Sequence, residues 1–224
     1  MKKTIFLFIA TFFMVASSAF AQLSSSVGRS FGGFGGGTND SYGRFYFQYN
    51  PTTWESNGSD LSFNGFTLGR VMATPFSTNY PFYVEGDFGL TYKKSKKDEM
   101  TIWDIEMAYH FLSVNIGLNV AWRMALPMDA YITPYVGLTW NGYLLGRLTA
   151  KYEDEKESMK VFYNEDEFGT EVIPLALGWK IGVNLDFNNC YLGVSYGTDL
   201  TDMMEGDVYS SKFKTASITL GLIY

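Results

Sequence analysis

The only histidine of this chain, His110, precedes Ser113 by three residues. A serine nucleophile needs a base within hydrogen-bond reach, and on an extended strand two side chains share a face only at even spacing. Odd spacing puts His110 and Ser113 on opposite faces unless an extra residue intervenes. Asp104, Glu106 and His110 do stand at even spacing, which suits acid–base work, but all three come from one stretch of chain. Cys190 is the only cysteine, so neither an internal disulfide nor a cysteine-rich metal centre can form within the chain. It reads as a small apolar residue at an outer surface. The segment 151–171, KYEDEKESMKVFYNEDEFGTE, is acid-rich but lacks the ligand spacing of a calcium loop. It reads as a solvated loop, with a cation bridge to lipid phosphates as the sharper alternative. These patterns assign no catalytic residue, no cofactor and no metal ligand.

The strands that would carry these residues alternate in period two. The first is 42–50, with Phe45, Phe47 and Tyr49 opposite Arg44, Tyr46 and Gln48. The second, 61–72, breaks its alternation at Asn64-Gly65 as a bulge would, and leaves Arg70 open between the two faces. The third, 82–92, sets Phe82, Val84, Phe88, Leu90 and Tyr92 against Tyr83, Glu85, Asp87, Gly89 and Thr91. The fourth, 101–124, carries an apolar face through Trp103, Ile105, Met107, Tyr109 and Phe111. It then slips by one residue to Leu112, Val114, Ile116, Leu118, Val120 and Trp122, which predicts a second bulge. That slip could bring Ser113 back to the face of His110. The remaining strands are 131–148, 172–187, 190–197 and the terminal TASITLGLIY, 215–224. Connections alternate between short (73–81, 125–130, 188–189) and long and polar (51–60, 93–100, 149–171, 198–212). Eight strands with short turns at one rim and long loops at the other predict an up-and-down antiparallel β-barrel.

Residues 1–21 read as a cleaved secretory signal: Lys2 and Lys3, an apolar run, then Ala19-Phe20-Ala21. Residues 22–40 are a Gly/Ser-rich flexible lead-in, and 41–224 form the barrel domain. The formal net charge is −6 and no basic stripe is present, which excludes a nucleic-acid partner.

The sense of the barrel follows from its faces. A soluble barrel turns its apolar face inward and solvates the outside with charge. Here the polar faces are mostly Gly, Ala, Ser, Thr and Asn, sizes that suit the crowded lumen of an eight-stranded barrel. The apolar faces are bulky over about 9–11 residues, the length that crosses a bilayer at a tilt. The apolar face is therefore expected outward, towards lipid. Trp122, Trp179 and Tyr224 are expected in the interfacial aromatic girdle. Arg44, Glu85, Asp87, Arg123, Lys180 and Asp186 are expected inside as a mutually neutralising network that plugs the lumen. His110 is expected on the lumen side.

The segments RFYFQYNP (44–51), FNGFTLG (63–69), PFYVEGDFGLTY (81–92), SVNIGLNVAWRM (113–124), ITPYVGL (132–138), LGWKIGVNLDF (177–187) and YLGVSYGTDL (191–200) resemble the small, porin-like outer-membrane β-barrel family of Bacteroides-type bacteria. The resemblance implies an outer-membrane location. It also implies that the terminal aromatic, Tyr224, is read as an assembly signal by the barrel-assembly machinery. It carries no catalytic signature. The expected role is non-enzymatic, structural or interactive, through the outer loops 149–171 and 198–212, in contact with membrane lipid and lipopolysaccharide. The alternatives are a narrow channel for small solutes, a lipid-modifying outer-membrane enzyme using His110, and a soluble periplasmic lipocalin-like binder.

Overall fold

The computed structural model describes residues 41–56, 59–76, 80–96, 101–102, 105–127, 130–152, 155–161, 171–172, 175–202, 204–205 and 211–224. The signal and lead-in segments, and Trp103 and Asp104, lie outside the described residues. Eight long strands dominate: β1 (Tyr42–Ser56), β2 (Ser59–Pro75), β3 (Phe82–Ser95), β4 (Ile105–Trp122), β5 (Ala130–Tyr152), β6 (Leu175–Phe187), β7 (Cys190–Asp199) and β8 (Ser211–Ile223). Each pairs antiparallel with its neighbours in sequence, from β1–β2 through to β7–β8. The ring closes where β8 pairs with β1, from Arg44↔Ile223 to Ser56↔Ser211. Closure leaves none of the eight without a partner on either side, so the edge problem of open sheets disappears. Shorter ladder pieces extend the rims, notably Glu155–Lys160, which pairs back on the end of β5.

Alternation divides the side chains. Phe45, Phe47, Leu68, Leu118, Val120, Val136, Leu138, Ile181, Leu192, Val194, Ile218, Leu220 and Leu222 all stand on the outer face, each roughly half exposed or more. The inner face holds Arg44, Thr67, Glu85, Thr91, Asn119, Thr133, Asn184 and Asp186, all buried. The tight turn is Asn188-Asn189 between Phe187 and Cys190, with Asn188 at φ 51°. Asparagine tolerates that left-handed backbone, which two-residue hairpin turns demand.

Several sequence expectations change. Residues 51–56 and 59–60 are strand rather than a long loop, with Ser56 paired to Ser59, and 149–152 and 155–160, expected within a long loop, are strand as well, with Tyr152 paired to Glu155. No bulge occurs at Asn64-Gly65: the β1–β2 register is unbroken, and Asn64 simply points outward, where it accepts a hydrogen bond from Tyr49 Oη at 2.8 Å. β4 does not slip after Phe111. Tyr109, Phe111, Ser113 and Asn115 share the inner face, so the apolar pair Tyr109 and Phe111 points into the barrel. A bulge does occur at this level, but on the partner strand: Leu112 pairs with Leu145 and Ser113 with Tyr143, leaving Leu144 as the extra residue. Leu144 and Leu145 both face outward, and everything after them on β5 is reset by one position.

Deleting Leu144 should restore one-to-one pairing while leaving Leu145 outward, Gly146 inward and Arg147 outward, because each keeps its present partner on β4. The unfolding free energy should change by less than about 1 kcal/mol. A denaturant titration with a much lower midpoint would show that the bulge itself supports the fold.

Candidate functional site

The lumen is filled in layers, each built by inward residues of several strands. At the turn end sits a four-charge cluster. Arg44 is completely buried; its Nη1 donates to Glu85 Oε1 at 2.9 Å, and its Nη2 reaches both oxygens of Asp186 at 3.0 and 2.9 Å. Arg123 Nη2 lies 3.4 Å from Asp186 Oδ2. Two guanidinium groups therefore face two carboxylates and the layer is neutral. Tyr42 adds a hydrogen bond from its hydroxyl to Glu85 Oε1 at 2.7 Å. Its ring also lies beneath both guanidinium groups, 4.6 Å from that of Arg44 and 4.4 Å from that of Arg123. Such stacking suits arginine, which is planar and weakly hydrated.

A second pair stands deeper. Lys180 Nζ donates to Asp87 Oδ2, and Tyr46 Oη donates to Asp87 Oδ1 at 2.6 Å. Tyr46 reaches Asp87 across Gly69, where a Cβ would lie 2.3 Å from the phenol ring. The six charges expected inside are thus inside, in two groups rather than one: Arg44 meets Glu85 and Asp186, whereas Asp87 belongs to Lys180.

Above these pairs a hydrogen-bond chain runs around much of the inner wall, one residue from each of β1, β2, β3, β4, β5 and β7. Asn50 donates to Thr67 at 2.5 Å, the Thr67 and Thr91 hydroxyls meet at 2.5 Å, Thr91 donates to Asn115, Asn115 to Asn141, and Asn141 to Asp199 at 3.4 Å. This chain rims a polar cavity of about 100 Å³. Ligand pockets are typically roughly 300–1,000 Å³, so the space suits a few waters rather than a substrate.

The loop end is closed by an apolar cap. Trp54, Phe63, Phe111, Tyr143 and Phe213 pack together with Ala176, and Tyr109 leans against them. Ring centroids lie 5.7 Å apart for Trp54 and Phe213, 5.7 Å for Phe63 and Phe111, and 5.8 Å for Phe111 and Tyr143. Lys93 reaches up from the cavity to sit 4.6 Å from the Phe213 ring. Sequence reasoning missed this cap for two reasons. Trp54 fell in a stretch expected to be loop, and the inward aromatics of β4 looked like a continuation of the outer face. The available signal was the unbroken odd-numbered series from Tyr109 to Ala121.

His110 is corrected from lumen to outer wall. Its Nδ1 is 2.6 Å from Tyr92 Oη, and Thr149 Oγ1 is 3.4 Å from its Nε2. Ser113 is buried on the opposite side of the wall, so the two cannot form a nucleophile–base pair. Glu106 is exposed. Cys190 is exposed on the outer face. Among the described residues no cluster of three or more His, Cys, Asp or Glu side chains gathers as a metal site.

The aromatics Trp122, Trp179 and Tyr224 all lie outside. Trp122 stacks on Phe82 at 6.0 Å near the turn end. Trp179 packs edge-on to Tyr196 at 6.3 Å, inside the apolar stretch and not at its boundary, since Leu177 and Leu175 lie beyond it. Tyr224 stacks on Phe45 at 4.9 Å and crosses Gly43, where a Cβ would lie 2.3 Å from its ring. Arg70, now placed outside, covers Phe45 and Tyr224 and donates from Nε to the Tyr224 hydroxyl.

No family model matches the chain, and no curated protein matches it. Similar solved structures include Ail, the attachment invasion locus protein of Yersinia pestis, at 16% identity and a TM-score of 0.43, covering 83% of this chain and 99% of that one. Neisserial surface protein A is similar at 10% identity and a TM-score of 0.43, covering 81% and 96%. The outer membrane protein OprG from Pseudomonas aeruginosa is similar at 9% identity and a TM-score of 0.40, covering 84% and 98%. The closed ring described above rests on its own strand pairing and takes nothing from these likenesses.

Arg44→Ala should strip the common partner from Glu85 and Asp186 and leave buried charge uncompensated. The expected cost is about 3–5 kcal/mol of unfolding free energy. Lys214→Ala removes an exposed bridge to Glu55 at the loop end and should leave the midpoint where it was. Equal midpoints for wild type and Arg44→Ala would sink the structural role of the inner cluster.

Proposed function

We propose that this protein is a small outer-membrane β-barrel without enzymatic activity, closed to solutes, that serves a structural or surface-interaction role through its loop end. The carrying observation is the distribution of side chains across the wall. On β4 the outward series Leu112, Val114, Ile116, Leu118, Val120 and Trp122 contains no polar residue. Its eleven residues rise about 33 Å along the strand, or about 25 Å across the membrane at a tilt of about 40°, the height of a lipid-facing apolar band. A soluble lipocalin-like binder would have to expose this band to water, where contiguous apolar patches of that extent are rare. Backbone pairing all round the ring meets the demand that lipid places on spanning structure.

The filling of the lumen supports the rest of the reading. Two neutral charge layers, a cavity of about 100 Å³ and an aromatic cap occupy its successive levels. A channel would need that cavity open to both ends. For an enzyme, His110 faces Tyr92 and Thr149 with Ser113 on the other side of the wall. We place the loop end outside the cell and the Asn188-Asn189 turn on the periplasmic side, following the asymmetry of such barrels. Export would follow cleavage of residues 1–21. Tyr224, last in β8's direction and held by Arg70 and Phe45, is the proposed signal to the barrel-assembly machinery. An unidentified surface partner would meet segments 149–171 and 198–212.

The purified protein should need detergent for extraction from outer membranes and should migrate faster on gels before heating. It should show no steady conductance in planar bilayers. Release by osmotic shock without detergent would overturn the membrane reading. Stable single-channel currents from the wild type would overturn the plug and favour the channel.

A further inference from the structure

The β5 bulge creates a feature that strict alternation would not allow. Counting by twos from the inward Tyr143 would put Arg147 in the lumen. The extra residue Leu144 instead puts it on the outer wall, where it is exposed. There it stands directly opposite His110 on one side and Lys160 on the other, and His110 stands opposite Lys94. Residues paired directly across adjacent strands project from the same face. Lys94, His110, Arg147 and Lys160 thus form one basic row across four strand segments, roughly 14 Å long at the usual strand spacing. Glu106 pairs with Lys151 further towards the loop end, so the four positions of the row itself are all basic.

Directly below the row the wall turns apolar. Tyr92, Leu112, Leu144 and Leu145 lie outward on its turn side, and an open groove of about 600 Å³ runs from them up to His110, Arg147 and Lys160. A cationic head above an apolar bed, continuous with the outer apolar band, complements one kind of molecule.

We propose that this groove docks a phosphate-bearing membrane lipid, with its phosphate on the Arg147–Lys160 end of the basic row and an acyl chain over Leu112, Leu144 and Leu145. The inference rests on the outer-membrane reading. It assigns the bulge a purpose: with Leu144 and Leu145 both outward, the inserted leucine widens the apolar bed beneath the row.

The test uses the purified full-length barrel in detergent, mixed with lipid A or with phosphatidylcholine as a control without net charge. Native mass spectrometry counts the retained lipid. The wild type should retain lipid A in preference to the control. Raising the salt from about 0.1 to about 1 M should release much of it, as expected for an exposed phosphate contact. The double variant Arg147→Gln/Lys160→Gln should bind about tenfold to thirtyfold more weakly, at about one kcal/mol per basic residue. Its heat-dependent gel shift should be unchanged, because both residues are exposed. Equal retention of lipid A by wild type and variant, or equal retention of lipid A and phosphatidylcholine, would overturn the docking site while leaving the membrane reading intact. A wild type that stays soluble without detergent would overturn both.

Discussion

Everything in this molecule follows from closing eight strands on themselves. Once β8 meets β1, each strand is paired on both sides and the side chains have only two places to go. The interior of so small a ring is barely wide enough for side chains. Any charge placed inside must therefore find its counter-charge within that space or go unpaired, because solvent cannot reach it in bulk. Arg44 is the clearest case. It is fully buried, yet bonded to two carboxylates from β3 and β6 and stacked on Tyr42 and Tyr191.

The same constraint explains the order of the layers. Charges occupy the turn end, where Tyr42, Tyr83, Tyr131 and Tyr191 supply rings and hydroxyls around them. The middle level is mostly amides and hydroxyls, with one buried cation, Lys93, and one buried carboxylate, Asp199, lining the same cavity. The cap at the loop end is aromatic, and tilted or edge-on pairs such as Trp54 with Tyr109 give it specific geometry. Buried side-chain atoms left without a partner occur at every level: Arg44 Nε and Arg123 Nε in the charged layer, Asn119 Oδ1 and Thr133 Oγ1 on the same inner wall, Asn50 Oδ1 in the middle chain and Trp54 Nε1 in the cap. The outer wall needs none of this accounting. Its bulky aliphatic residues face away from the ring and are matched to whatever surrounds it.

The two rims differ for a related reason. At the turn end, the start of β1 meets the end of β8, and Tyr224, Phe45 and Arg70 form a compact outer patch made possible by the missing side chain of Gly43. At the loop end, β5 and the Glu155–Lys160 piece run on beyond the apolar band and carry much of the basic outer surface. A single inserted residue, Leu144, separates these regimes on β5. Below it the strand obeys the lumen's pattern; above it the pattern is reset and Arg147 joins the outer basic row.

Period-two alternation is a local property of the backbone, so the sequence alone was enough to find the eight strands, their sense and six of the inward charges; Lys93 and Asp199, also buried in the lumen, fell in stretches read as loop. It also showed the chemistry of both faces, since small and polar residues on one side and bulky apolar residues on the other hold along most of each strand. What it left undecided were facts of pairing. Which carboxylate meets Arg44 depends on register between strands far apart in the chain, so Asp87 and Asp186 could not be told apart. The side on which His110 lies depended on whether β4 slipped, and the irregularity belongs to its neighbour. A bulge shows itself as two residues opposite one. Only the assembled pair of strands reveals which of them carries the extra residue, and with it the face of every residue that follows.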